Sequence, residues 1–395
     1  MKKSWSLIVL IICLILVICA CASREMEEHK TEAEKKLEIT EETGDVVGKK
    51  DEKEYQSRLD AIEPSAYRDV SGLKPEAGSY FSIIGKSGEG EYWEQVKKGA
   101  EQAAADINAE LGYKGKDEIK VTYSGPAVAG SVDEQVNILD EELARYPLGV
   151  SISIVDTQAC GVQFDLASGN GIPIVAFDSG SDYPGLMATV STDNRGTAQM
   201  AADRMAELAG STGEVLVFVQ DSKSLSARER ELGFTERLAE AYPGITVAEV
   251  YHMDQLEEMQ KKLAKEKKIK NPEEVTEEQV IDEILKRHPE IKGVFAADGT
   301  AVMSALAALD RAEKKSVALI GYDSNKDELE ALKNGEIDGL IVQNPFGMGY
   351  ASVIASARAA LSMGNEAYIN TSVMWVTRDN LDSKEVKSWL GTGHF

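Results

Sequence analysis

The sequence reads GIPIVAFD from Gly171 to Asp178, a short apolar run that ends in a carboxylate. Runs of this form are typical of buried strands in a parallel sheet, because helices cover both faces of such a sheet. Similar runs end in polar side chains elsewhere: Val150–Ile154 before Asp156, Val215–Val219 before Gln220 and Asp221, Val294–Ala296 before Asp298, Val317–Gly321 before Asp323, and Gly339–Val342 before Gln343. Ligands of open parallel α/β sheets bind at the carboxyl ends of the strands, so we expect these side chains to converge on one crevice for a polar small molecule.

Amphipathic helical patterns separate the apolar runs. They include residues 93–111, 132–144, 196–208 and 228–241. Strands that alternate with helices predict right-handed crossovers and mostly parallel sheets. A chain of 395 residues fits two such sheets better than one. We therefore predict an α/β fold with two doubly wound parallel-sheet lobes.

One stretch, about residues 254–292, breaks this alternation. It contains two helical patterns joined by a charged link around Pro272. We interpret it as a helical insertion at the rim of the second lobe, with a solvated charged face.

The N-terminus has the features of an export signal. Lys2 and Lys3 precede an apolar run from Leu7 to Ile18, which is short for a membrane span. We predict a signal peptide over residues 1–20, with an uncleaved anchor as the alternative. Residues 21–72 are dense in Glu, Lys and Asp and carry no sustained apolar periodicity, so we expect a charged flexible tether there.

The end of the signal resembles the lipobox of bacterial lipoproteins, in the sequence Ile18-Cys19-Ala20-Cys21. This resemblance implies that Cys21 is lipidated and becomes the mature N-terminus; the alternative is that the cysteines of this region are apolar filler. The only later cysteine is Cys160, which has no partner for an internal disulfide.

Composition and motifs weigh against several functions. A net charge of −24 argues against nucleic acid, because phosphate neutralisation needs clustered Lys and Arg. The sequence around Gly85-Lys86-Ser87 lacks the opening glycine of a P-loop, and the histidines His29, His252, His288 and His394 have no metal-ligand spacing. We therefore expect neither an enzyme nor a bound cofactor or metal.

Six landmarks in a fixed order resemble the ribose- and galactose-type family of extracytoplasmic sugar-binding proteins, the type I solute receptors of ABC importers. They are Tyr92-Trp93 leading into Val96–Ala100, Gly171–Asp178, Ser226–Phe234, Gly293–Asp298, Ile320–Asp323 and Val342–Pro345. The resemblance implies the type I periplasmic binding protein fold, with a hinge of three crossovers. The first lobe would comprise residues 79–192 and 345–371, and the second residues 193–343 and 372–395.

The chemistry of sugar binding suggests candidate residues in the first lobe. Sugars offer hydroxyls that donate and accept, and apolar faces that stack on aromatic rings. Tyr92 and Trp93 could stack on a ring face, although Trp93 could instead be a core residue at a helix start. Glu91 could accept hydroxyl hydrogen bonds. Asp156, at a looser place in the pattern, is a further candidate.

The resemblance itself implies roles for other residues. Asp178 corresponds to the strand-end ligand acid, and Arg230 is the family's Arg that reaches the ligand, which leaves Arg228 to the surface. Asp323 would hold opposite hydroxyls or Arg230, and Gln343 sits at a hinge crossover.

The sequence departs from this family at two places. Asp298-Gly299 stands where the family usually has Asn-Asp, so the site should prefer an extra hydroxyl or amine donor. Ser179 stands where ribose-type members often have Arg, which makes simple transfer of ribose specificity doubtful.

These features together predict a monomeric lipoprotein on the outer face of the cell membrane. It would bind a monosaccharide or related polyol and deliver it to the permease subunits of an ABC importer. A sugar-sensing receptor for a chemoreceptor or sensor kinase is the alternative. A sugar-responsive repressor would need an N-terminal helix-turn-helix, where the signal and tether lie instead.

Overall fold

The computed structural model describes residues 54–391. The predicted signal peptide, the predicted lipidation residue Cys21 and the predicted tether up to residue 53 lie outside the described residues. Within residues 54–391, no helix combines the length and the apolar character that a membrane span requires.

The first sheet contains six strands, all of which run parallel to their neighbours. They are β1 (Tyr80–Ile84), β2 (Lys120–Ser124), β3 (Gly149–Ile152), β4 (Ile174–Phe177), β5 (Thr189–Ser191) and β11 (Tyr368–Asn370). Their spatial order is β11-β5-β4-β3-β1-β2. The apolar run that precedes Asp178 forms β4, whose residues are all buried, as expected for a strand with both faces covered.

The second sheet also contains six strands. They are β6 (Gly213–Val219), β7 (Ile245–His252), β8 (Ile291–Ala296), β9 (Ala318–Tyr322), β10 (Gly339–Val342) and β12 (Met374–Val376). The order is β12-β10-β9-β8-β6-β7, and the β10–β12 pair at one edge is antiparallel. The prediction of two mostly parallel, doubly wound sheets is therefore confirmed.

Helices connect the strands. They are α1 (Gln56–Asp60), α2 (Glu91–Leu111), α3 (Val132–Leu143), α4 (Gly161–Gly169), α5 (Asn194–Ala209), α6 (Leu225–Ala241), α7 (Leu256–Lys267), α8 (Glu277–Arg287), α9 (Gly299–Arg311), α10 (Lys326–Asn334), α11 (Pro345–Ala360) and α12 (Lys384–Leu390). The chain passes between the two sheets after β5, after β10 and after β11. These are the three crossovers of the predicted hinge. We propose that the two lobes meet at them.

The ordered body begins earlier than the sequence analysis predicts. Leu59, Ile62, Tyr67 and Leu73 are all buried and pack into the core of the first sheet. Residues 54–72 are therefore not part of a flexible tether. Their apolar side chains are too widely spaced to show helical or strand periodicity, so the pattern gives no sign of this burial.

The same segment contacts the hinge. The side chain of Asn344 donates to the carbonyl of Arg58 at 2.7 Å, and Ser372 Oγ donates to the carbonyl of Ala61 at 2.9 Å. Glu63 and Asn370 exchange backbone hydrogen bonds of 2.8 and 2.9 Å. We call residues 54–63 the hinge strap, because hydrogen bonds attach this segment to residues at two of the three crossovers.

The predicted insertion forms two helices, α7 and α8, but it is not confined to the rim. Val280, Ile281 and Ile284 of α8 are buried in one apolar cluster with strand residues Leu216 and Val294. Helix α8 therefore covers the second sheet as an ordinary connection between β7 and β8.

Two glycines allow α2 and α11 to pack closely. A Cβ at Gly99 would overlap the carbonyl oxygen of Phe346, and one at Gly349 would overlap that of Val96. We expect Gly99→Ala to lower the free energy of unfolding by roughly 1–3 kcal/mol through overpacking, although Ala favours a helix over Gly by about 1 kcal/mol. Thermal unfolding measures this, with Gly169→Ala as the control because a Cβ there meets nothing within 4 Å. Equal melting temperatures for both variants would contradict the prediction.

Candidate ligand-binding site

The carboxyl ends of the two sheets face each other, and three hydrogen bonds join them. Lys86 Nζ, after β1, donates to Ser226 Oγ of α6 at 3.2 Å. The backbone N–H of Ser226 donates to Ser179 Oγ at 3.3 Å. At the other side, the backbone N–H of Lys326 donates to Glu91 Oε2 at 3.2 Å. The polar strand ends of both sheets therefore share one cleft.

Asp178 lies at the first-sheet side of this cleft, directly after β4. Its side chain accepts from Tyr92 Oη at 2.9 Å and from Ser153 Oγ at 2.6 Å, and Lys86 Nζ lies 3.6 Å from Oδ2. Only 7% of its surface is exposed. Its φ of 57° is left-handed, a conformation in which Asp and Asn are enriched. The turn after β4 thus places the carboxylate beside Tyr92, Ser153 and Lys86.

Tyr92 and Trp93 begin helix α2 next to Asp178. Their rings meet edge to face with centroids 5.1 Å apart, and Trp93 meets Phe177 at 6.4 Å. Burial raises the pKa of Tyr92 well above its usual value, and the charge of Asp178 raises it further. Tyr92 is therefore a neutral hydrogen-bond donor. Both rings also pack against the first-sheet core, so Trp93 has the core role given as the alternative, and its stacking on a sugar stays a prediction.

Arg230 lies on α6 and is 2% exposed. Its guanidinium donates to Asn194 Oδ1 at 2.8 Å, to the carbonyl of Ala297 at 2.7 Å and to Gln343 Oε1 at 2.8 Å. The ring centroid of Tyr322 lies 4.0 Å from Cζ. These contacts use three of the five N–H groups that a guanidinium carries. The remaining donors can bind a ligand, and the side chain is held in place by its neighbours.

Gln343 and Asp323 extend this network. Gln343 Nε2 donates to Asp323 Oδ1 at 2.6 Å, while its Oε1 also accepts from Thr192 Oγ1 at 2.9 Å. Asp323 Oδ2 accepts from the backbone N–H of Gly299 at 3.2 Å. Burial raises the pKa of Asp323, although Arg230 acts in the opposite direction. Residues from the crossovers and the second sheet thereby hold one another in fixed orientations.

Asp298 follows β8 and caps helix α9. Its Oδ1 accepts from the backbone N–H of Ala301 at 2.8 Å. Burial raises the pKa of Asp298 to about 6, and the neighbouring Asp323 contributes to the rise. An amide at this position could cap the helix equally well. The ionised carboxylate of Asp298 therefore lowers the stability of the fold relative to an Asn at the same position.

This raised pKa predicts a pH-dependent effect of Asp298→Asn. An acid whose pKa is higher in the folded state stabilises the fold most below its unfolded pKa of about 4, and that contribution is lost as pH rises to about 6. We therefore expect the difference in the free energy of unfolding, variant minus wild type, to increase by about 1 kcal/mol from pH 4 to pH 7.5. This is less than the full pKa shift implies, because the side chain is partly exposed. Thermal unfolding at both pH values measures this, with exposed Asp327→Asn as a control for charge removal. A difference between Asp298→Asn and wild type that does not change with pH would contradict it.

Two predicted residues lie outside the central network. Glu91 is exposed and accepts from α10 across the cleft entrance. Asp156 Oδ1 accepts from the backbone N–H of Gln158 at 2.8 Å within a local turn. Within residues 54–391, no hydrogen bond or ion pair joins Asp156 to Asp178, Arg230 or Asp323. Its direct role in the site therefore stays an untested prediction.

Several cleft residues were not predicted. Lys86 and Ser153 contact Asp178. Ser153 directly follows β3 and Lys86 is the second residue after β1, which is the signal that could have identified them. Asn194 and Thr192 hold Arg230 and Gln343 at the first crossover. Within the described residues, no group of His, Cys, Asp or Glu side chains has the arrangement of a metal site.

Comparison with known proteins identifies the class. Residues 81–365 match the family model of the periplasmic binding protein domain. The chain belongs to this family.

The chain is similar to curated members that are named for sugars or polyols. It is 24% identical over 202 residues to the ribose import binding protein of Escherichia coli strain K12, an alignment that covers 51% of this chain and 62% of the relative. It is 23% identical over 266 residues to the D-apiose import binding protein of Paraburkholderia graminis, covering 67% and 78%.

Solved structures support the same fold. AraP, an arabinose-binding protein from Geobacillus stearothermophilus, has 27% identity and a TM-score of 0.62 over 78% of this chain and 99% of that one. A carbohydrate transporter solute-binding protein from Agrobacterium radiobacter, solved with D-arabinose, has 25% identity and a TM-score of 0.67 over 80% and 99%.

Proposed function

We propose that this protein binds a monosaccharide or related polyol in the cleft and delivers it to the permease subunits of an ABC importer. The observation that carries the proposal is that Asp178 and Tyr92, which lie on the first-sheet side, and Asp323, which follows β9, all lie near enough to the buried Arg230 to raise its pKa. Carboxylates and a guanidinium match hydroxyls that donate and accept, and an aromatic ring matches the apolar face of a sugar.

Closure of the lobes suits such delivery. Contacts such as Lys86 to Ser226 join the two sides of the cleft, so a ligand that binds both sides would favour the closed state. The named relatives bind ribose, apiose and arabinose, which supports a small sugar here too.

We further propose that the protein is a monomer outside the cytoplasm, exported by a signal peptide at residues 1–20 and lipidated at Cys21. The family supports the location, and the lipobox resemblance supports the anchor. Metabolic labelling of growing cells with a palmitate analogue tests the anchor. Mass spectrometry that finds a free Cys21 thiol in the mature protein would refute it.

A thermal-shift screen tests the binding function. The full-length chain, purified in a detergent without a sugar headgroup, is scanned against pentoses, hexoses, polyols, inositols and amino sugars. A ligand that binds only the folded state stabilises it by RT ln(1 + [L]/Kd), about 2.7 kcal/mol at a hundredfold excess over Kd. No increase in melting temperature with any compound of the panel would refute sugar binding.

An uptake assay separates delivery from sensing. Cells that lack this protein should fail to take up the sugar found in the screen. Normal uptake, together with a lost chemotactic or transcriptional response, would favour the sensory alternative.

A further inference from the structure

Three carboxyl groups lie together on the second-lobe side of the cleft. Asp298 and Asp323 follow β8 and β9, and Glu328 lies in the first turn of α10. The backbone of Gly299 lies between them: its N–H donates to Asp323 Oδ2 at 3.2 Å, and a Cβ added to Gly299 would lie 2.9 Å from Glu328 Oε1. We call these three residues the acid cluster.

Glu328 is fully buried and only half satisfied. Its Oε2 accepts from the backbone N–H of Asn325 at 2.7 Å, which closes a capping box at the start of α10. Its Oε1 faces Gly299 and has no hydrogen-bond partner within residues 54–391. A buried polar atom without a partner is costly, and such atoms in native structures call for an explanation.

The protein's own cations do not balance this cluster. Burial raises the pKa of all three acids; the charge of Asp323 also raises the pKa of Asp298, and the charges of Asp323 and Asp298 raise that of Glu328. Arg230 acts against the rise at Asp298 and Asp323, but it donates its hydrogen bonds to neutral oxygens of Asn194, Ala297 and Gln343. On this side of the cleft, two aspartates, Asp298 and Asp323, therefore lie near the single guanidinium of Arg230.

The first-lobe side differs. Asp178 has Lys86 at 3.6 Å, and both side chains are largely buried. An ion pair in such surroundings offsets the charge of the carboxylate. A positively charged ligand group is therefore expected beside the acid cluster and not beside Asp178.

We infer that the ligand is an amino sugar or aminopolyol whose protonated amine lies against Asp298 and Asp323. A hydroxyl would supply one hydrogen bond and no charge, whereas an ammonium group supplies three donors and a positive charge. Glu328 is a positioning residue behind this pair, since Gly299 separates it from Asp323. The inference rests on the proposed function and narrows its ligand class.

Matched ligand pairs test the inference. Glucose, galactose, mannose and glucitol are each compared by calorimetry with the corresponding 2-amino sugar or 1-aminopolyol, and each 2-amino sugar with its N-acetyl form. All titrations use the full-length chain in a sugar-free detergent at neutral pH. We expect at least one amine to bind about tenfold or more tightly than its neutral parent and its acetylated form. The N-acetyl form keeps a nitrogen substituent at the same carbon but has no positive charge. Weak binding of this form would therefore be expected if the charge of the amine causes the gain in affinity.

The outcomes of this comparison are distinct. Neutral sugars that bind as tightly as their amines throughout would overturn the inference and leave the proposed function standing. Absence of binding by every compound would overturn the inference alone, because only the absence of any hit in the wider thermal-shift screen, which includes pentoses, would overturn the proposed function.

Variants then test the assignment to the acid cluster. In Asp298→Asn, the ratio of neutral to amine Kd should fall to within about threefold of one, because the amide keeps the helix cap but removes the charge. Glu328→Gln provides a second variant if the first is poorly folded, and it should lower the ratio by a smaller factor. Asp327→Asn, exposed in the same helical turn, should leave the ratio unchanged. An unchanged ratio in both cluster variants would overturn the placement of the amine.

Discussion

Arg230→Ala should weaken binding of the tightest sugar by about tenfold to a hundredfold, or about 1.5 to 3 kcal/mol. The guanidinium is buried, oriented by three hydrogen bonds and stacked on Tyr322, and it retains donors for the ligand. Its removal also leaves Gln343 Oε1 with one donor fewer. Isothermal titration calorimetry measures the loss, and circular dichroism checks the fold.

Two matched variants sharpen this result. Arg228→Ala removes the same side chain two residues earlier on the same helix, where it is exposed, and should leave the affinity unchanged. Arg230→Lys keeps the charge but loses the planar fork, so it should recover only a small part of the affinity. Wild-type affinity in Arg230→Ala would remove Arg230 from the ligand site.

Asp178→Asn should cause a loss of similar size, about tenfold to a hundredfold. The carboxylate now accepts from Tyr92 and Ser153 while pairing with Lys86, and an amide can offer only one oxygen to these three groups. Asn also tolerates the left-handed φ of 57°, so the turn after β4 is preserved and the effect reports on the site. Calorimetry with the same sugar measures the change in Kd.

Asp182→Asn is the control for this substitution. It makes the same chemical change four residues along, at an exposed position. Equal affinities for Asp178→Asn and Asp182→Asn would show that Asp178 neither binds the ligand nor positions the groups that do.

Much of the fold was predictable because its signals are local. Each central strand is a short apolar run between turn residues, such as Ile174–Phe177, and each run is buried in the structure. The start of the body was not predictable in the same way. Ile62 and Tyr67 lie among charged residues without a period, and only contact with a distant core explains their burial.

The site shows the same division. Asp178, Asp323 and Gln343 could be predicted because each directly follows a strand. Glu328 could not, because Asn325 and Glu328 form a capping box whose sequence is typical of exposed helix starts. Its burial depends on the approach of Gly299, which belongs to a different helix and is distant in the sequence.

The hinge strap has a mechanical consequence. Residues 54–63 hold the chain at the crossovers, where Asn344 and Ser372 bind it, rather than at the far end of either lobe. Points close to a pivot move least when two bodies rotate about it. The proposed N-terminal anchor would therefore pull on the body close to the hinge, where it exerts little torque on either lobe and would not oppose the proposed closure of the cleft.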